Sequence, residues 1–94
     1  MSSNKSVKAI TTEVAKIFGV ARTAIMSDTR ENQEVAFARQ VAMYVHNYRN
    51  RCTKRATAKA FDRAPPTVTH SLGVIVAKMK RNKAFREQIK SLTA

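Results

Sequence analysis

The chain has 94 residues, 44% of them hydrophobic, with eighteen basic against six acidic side chains and a formal net charge of +12. That length fits one domain around one core; the single cysteine, Cys52, excludes an internal disulfide and fits a reducing, cytoplasmic setting; and no apolar run approaches the roughly 20 residues needed to cross a bilayer. The charge points to a polyanion, nucleic acid before an anionic membrane. It is also uneven: six basic and four acidic residues stand in 1–48, and twelve basic and two acidic in 49–94.

Residues 1–6, Met1-Ser2-Ser3-Asn4-Lys5-Ser6, lack the apolar core of a signal peptide and read as a flexible tail before one domain over 7–94. Val7, Ile10, Val14, Ile17 and Phe18 then recur at helical spacing, with Ser6 suited to the N-cap and Gly19 to the stop. A helical turn over Thr23–Met26 precedes a polar loop from Ser27 to Gln33 that carries Arg30. A long helix is expected from Glu34 to Arg49, with the wide stripe Val35, Phe37, Ala38, Val41, Ala42, Val45 and Tyr48 turned inward. His46 has no second ligand at metal spacing and reads as a surface or rim residue. Asn50-Arg51-Cys52-Thr53 breaks this helix, and Thr53 caps a short one, Lys54 to Phe61, with Ala56, Ala60 and Phe61 inward. No histidine beside a helix start marks Cys52 as a reactive thiol. Pro65 disfavours helix at Ala64, and Pro66 suits the first turn of a helix running to about Arg81 with Val68, Leu72, Ile75, Val76 and Met79 inward. Asn82 caps a last helix that returns Phe85, Ile89 and Leu92 to the core. The sum is an all-α bundle of five to six helices.

A short helix, a tight turn and a longer helix is the helix-turn-helix arrangement. With Val68 as the core direction and 100° per residue, His70, Gly73, Val74 and Ala77 project outward, with Thr67 and Thr69 on the flanks. Small residues let a helix lie close in the major groove. Thr67, Thr69 and His70 offer donors and acceptors to base edges, and Val74 offers a contact for a thymine methyl. Arg49, Arg51, Lys54, Arg55, Lys59 and Arg63 are candidates for phosphate contacts, with Thr53 and the first amides of the short helix as an anion site. Lys78, Lys80, Arg81, Lys83, Arg86 and Lys90 lie further along the chain, and some of them serve solubility alone. Arg30 is a lone loop arginine of the kind that enters minor grooves. The six carboxylates are scattered, no nucleophile has a base at hand, and no Gly-Lys-Ser/Thr phosphate loop exists, so neither an enzyme nor a cofactor or metal is expected. RNA is disfavoured because a recognition helix suits the B-form major groove, and a lipid surface because the late apolar residues are needed in the core.

Arg39-Gln40-Val41-Ala42-Met43-Tyr44 resembles the RQ(I/M)AMY run of the C-terminal DNA-binding domain of DnaA, the bacterial replication initiator, and Thr67-Val68-Thr69-His70-Ser71 resembles the end of that family's DHTTVxHA signature. The resemblance extends over about residues 7–92. It implies an all-α helix-turn-helix fold like that of Trp repressor and DnaA domain IV. It also implies minor-groove contact by Arg30, backbone contacts by Arg39 and Gln40, and recognition-helix contacts by Thr67 and His70; Pro66, at the head of that helix, is also placed in the major groove. The chain departs from the signature at Ala64-Pro65-Pro66, where the family has Asp-His-Thr, and at Gly73 and Val74, where polar or basic residues are usual. A target other than the DnaA box, or weak specificity, is therefore expected. The functional expectation is a double-stranded DNA-binding transcription regulator of activator type, or else a modulator of replication at origin DNA or an architectural protein. It would be nucleoid-associated, a monomer or weak dimer, with RNA polymerase or a second regulator as the candidate protein partner.

Overall fold

The computed structural model describes residues 5–27 and 32–93. In chain order they form α1 (Val7–Phe18), α2 (Arg22–Met26), α3 (Gln33–Arg49), α4 (Lys54–Phe61), α5 (Pro65–Arg81) and α6 (Lys83–Thr93). The ends follow from local chemistry. Ser6 caps α1 by accepting from the Ala9 amide, and Gly19 closes it at φ 65°, where a Cβ is disfavoured. The Asn32 side chain accepts from Glu34 and Val35 and starts α3. Thr53 accepts from Ala56 and starts α4, and Asn82 accepts from Phe85 and starts α6.

α3 is the central post, packed against each of the other five helices. Its Ala38, Val41, Ala42 and Val45 are buried, with Ile10 and Val14 from α1, Ile25 from α2, Ala58 and Phe61 from α4, Val68 and Ile75 from α5, and Phe85, Ile89 and Leu92 from α6. The small residues Ala38, Ala42 and Ala58 let these helices approach closely, and the Val, Ile and Phe side chains fill the space between them. Phe37 joins three layers. Its ring meets Phe18 edge-on at 5.7 Å and Phe85 at 5.6 Å. The Lys78 ammonium sits 5.4 Å from the centroids of both Phe37 and Phe85, so this lysine closes the α5–α6 junction.

Several expected core positions are replaced. Ile17, Tyr48 and Val76 are exposed, Tyr48 to 60%. Thr11, Thr57 and Ser71 are buried in their stead, and in α4 the inward residues are Thr57, Ala58 and Phe61 while Ala56 is exposed. Thr11 is tolerated inside because its hydroxyl donates to the Val7 carbonyl at 2.7 Å. Lys5 and Ser6, placed in the expected tail, belong to the packed domain. The Lys5 backbone exchanges two hydrogen bonds with the Asn50 side chain, at 2.9 and 3.0 Å, tying the start of α1 to the end of α3; residues 1–4 lie outside the described residues.

Candidate nucleic-acid interface

The corner between α4 and α5 is set by two backbone devices. Asp62 is left-handed, φ 55° and ψ 50°, and the Arg63 amide reaches back to the Ala58 carbonyl at 2.8 Å. That six-to-one bond, with a left-handed residue inside it, is the Schellman closure of a helix. Ala64 then takes the extended conformation that a residue before proline must take, ψ 144°, and α5 begins at once. It begins at Pro65, one residue before the expected start, so both prolines sit in the first turn. Neither has an amide hydrogen, and the Thr67 and Val68 amides bond to the Ala64 carbonyl at 2.9 and 3.3 Å. The start of α5 therefore offers no amide cradle for a phosphate, and what it presents is side chains.

Pro66, Thr67, Thr69, His70, Gly73 and Ala77 are exposed. A Cβ built on Gly73 would meet nothing within 4 Å, so the backbone there faces open space. Val74 differs from expectation in being half-buried. Beside this face lies a groove of ≈ 670 Å³ between α3 and the α4–α5 corner. Gln40, Arg63, Thr67 and His70 line it, with Arg39 at its wall. Two motifs far apart in sequence thus share one concavity.

Arg39 is placed otherwise than a phosphate contact requires. It is 7% exposed, and its guanidinium donates to the carbonyls of Ile25 at 2.7 Å, Ala24 at 3.1 Å and Ser27 at 2.8 Å. A buried arginine here satisfies the open carbonyl end of α2. Arg63 also donates to the Ser27 carbonyl and to those of Phe61 and Asp62. Ser27 is therefore the point at which α3 and the helix-turn-helix corner grip the end of α2. Arg30, three residues on, lies outside the described residues.

Of the other phosphate candidates, Arg49 is half-buried and donates to the Leu92 carbonyl at 3.3 Å; Lys59 stands in the last turn of α4, and the rest gather at the α3–α4 junction. Arg51, Thr53, Lys54, Arg55 and Lys59 are all exposed. Arg51 takes φ 51°, which turns the chain sharply toward α4. His46 lies beneath this junction and is 8% exposed, not the rim residue expected. Its Nδ1 hydrogen-bonds Thr57 Oγ1 at 2.9 Å, and its ring meets Phe61 edge-on at 5.6 Å. Burial lowers its pKa below the ordinary 6.5. Cys52 Sγ stands 3.5 Å from His46 Nδ1 and 3.3 Å from Thr57 Oγ1, so the turn after α3 brings a histidine six residues earlier against the thiol. The i, i+4 spacing of Thr57 and Phe61 was the available signal for this packing, obscured because threonine reads as a surface residue.

A short helix joined by a tight corner to a longer one, whose exposed outer face is uncharged and flanked by cations, defines a helix-turn-helix DNA-binding domain. Comparison with known proteins narrows the class. The family model described as the bacterial dnaA protein helix-turn-helix matches residues 7–75. The chromosomal replication initiator protein DnaA of Pseudothermotoga lettingae is 38% identical over 71 residues, covering 73% of this chain and 16% of that relative. The chain belongs to the DnaA helix-turn-helix family. It spans about one sixth of the relative it matches, which confines the likeness to this one domain. No helix among the described residues is long and apolar enough to cross a membrane.

Proposed function

We propose that this domain binds double-stranded DNA with the outer face of α5 in the major groove, and that it acts as a transcription regulator of activator type. The observation that carries the reading is the exposed stretch Pro66, Thr67, Thr69, His70 and Gly73, presented by a helix-turn-helix corner on a chain of net charge +12. Thr67 and His70 supply hydrogen-bonding groups to base edges, Gly73 permits close approach, and Val74 adds apolar contact. Arg51, Lys54 and Arg55 neutralise phosphates beside Thr53 at the start of α4, Lys59 does so from its last turn, and Gln40 and Arg63 line the concavity beside Thr67 and His70. Arg30 enters the minor groove; the support is its place in the family pattern and the grip of Arg39 and Arg63 on Ser27 just before it. Arg39 acts by holding the carbonyl end of α2 in place.

The prolines bear on specificity. Asp-His-Thr of the family signature is replaced by Ala64-Pro65-Pro66, which removes hydrogen-bonding side chains and two amide donors. The preferred site therefore differs from the DnaA box. Residues 7–94 act as one unit, cytoplasmic and on the nucleoid, as a monomer or weak dimer, with RNA polymerase or a second regulator recruited nearby. A second reading follows from the name of the matched relative: occupancy of origin DNA to modulate replication. Selection from random duplexes followed by genome-wide mapping separates the two. Promoter peaks support regulation of transcription, an origin peak supports the replication role, and selection of a DnaA box contradicts the altered site.

A further inference from the structure

From Pro65 to Ala77, α5 carries no charged side chain, and between Asp62 and Glu87 the chain has no acidic residue at all. Cations return abruptly at the far end of the helix and run on into α6: Lys80, Arg81, Lys83 and Arg86 are all exposed. Among the described residues the two ion pairs are Lys5–Glu13 and Lys90–Glu87, so these four cations are held by none. At 100° per residue, Thr67, His70, Val74, Ala77 and Arg81 fall on one face of α5. Thr67 and Arg81 are then separated by about 21 Å at 1.5 Å rise per residue. Along this one face the helix reads polar and small, then small and apolar, then basic.

Placement in α6 strengthens the point. Lys83 and Arg86 stand in its first turn, where no acidic residue is present. Positive charge there opposes the helix dipole, so these side chains weaken the helix that carries them. They also lie on its solvent side, away from buried Phe85, Ile89 and Leu92. Neither packing nor helix stability accounts for them.

We infer that Lys80, Arg81, Lys83 and Arg86 form a second phosphate-binding edge, which grips the same DNA duplex across the major groove from the α3–α4 cations. The inference rests on the proposed seating of α5. The major groove is about 12 Å wide between two charged backbones. A helix that crosses it obliquely needs an uncharged middle over the base edges and cations toward each end, where the two backbones pass. Arg51, Lys54, Arg55 and Lys59 supply one side, and the α5–α6 corner supplies the other. The duplex contacted is accordingly longer than the base-reading residues alone would cover, and phosphate contacts at this edge are indifferent to sequence.

The test uses the whole chain and a variant with Lys80→Gln, Arg81→Gln, Lys83→Gln and Arg86→Gln, whose fold is checked by circular dichroism and thermal unfolding. Affinity for duplexes of about 10 and 20 base pairs is measured across a salt series. Each lost phosphate contact lowers the log–log salt slope by about 0.9. The slope on the longer duplex should fall by about 2–4, and the variant should lose the advantage that the native chain has on longer DNA. A Lys80→Arg, Lys83→Arg control should keep both. An unchanged slope overturns this second edge while leaving the seating of α5 intact. Capture of two duplexes per native chain also overturns it, because the corner would then serve a separate segment. Failure of the native chain to bind either duplex overturns the parent proposal instead.

Discussion

Replacement of Arg39 by methionine asks whether its guanidinium serves the fold or the ligand. Methionine keeps much of the length and apolar stem but removes every donor. Three carbonyls, those of Ala24, Ile25 and Ser27, lose a charged donor at 2.7–3.1 Å. Hydrogen bonds to charged groups contribute about 1.5–3 kcal/mol each, and a buried acceptor left unmade costs about 1–3 kcal/mol. Relief of guanidinium desolvation offsets part of this. Water reaches the Ser27 carbonyl more readily than that of Ile25, and Arg63 continues to donate to Ser27. The net loss expected is about 2–4 kcal/mol. A domain of this size holds about 5–14 kcal/mol in total, and each kcal/mol moves its midpoint by about 4–8 °C. Thermal unfolding followed at 222 nm should show a fall of at least about 8 °C. A midpoint within about 2 °C of the native chain, together with weakened DNA binding, would show that the guanidinium serves the ligand and return Arg39 to the phosphate backbone.

Buried His46 gives stability a pH dependence. Its folded pKa lies below 6.5, so its contribution is complete above that value and is lost as pH falls through the lowered folded value. Urea midpoints should decline on acidification from pH 7.5 toward 5, more steeply than in a His46→Gln variant; parallel declines would remove His46 as the cause. Thr53→Ala should cost about 1 kcal/mol through loss of the α4 cap, measurable as a lower urea midpoint at unchanged m-value. Asp62→Val should cost about 1–2 kcal/mol because a β-branched residue is strained at φ 55°. Asp62→Gly should be far better tolerated, and equal losses for the two would show that the corner is not set by backbone conformation.

Elements whose limits depend on neighbours in sequence were legible. Ser6, Gly19, Thr53 and Asn82 mark helix ends through hydrogen bonds or dihedrals within a few residues. The outer face of α5 was legible too, because one buried residue and the helical angle define the rest. Side-chain identity misled elsewhere. Ile17, Tyr48 and Val76 are apolar or aromatic yet exposed, since α1, α3 and α5 bury a narrower stripe than their composition suggests. Arg39 and His46 are polar yet buried, because partners 14 and 11 residues away satisfy them. No local pattern encodes those partners. The same holds for the meeting of Gln40 and His70 in one groove, which needs the packing of α5 on α3.

In the proposed seating, the exposed face at the start of α5 reads base sequence. Fluorescence anisotropy of the native chain and a Thr67→Ala, His70→Ala variant, on a duplex selected from a random pool and on a scrambled duplex, measures that readout. The variant should lose about 1–3 kcal/mol or more on the selected site, with affinity for the scrambled duplex nearly unchanged because phosphate contacts persist. Equal losses on both duplexes would show that this face carries no sequence readout.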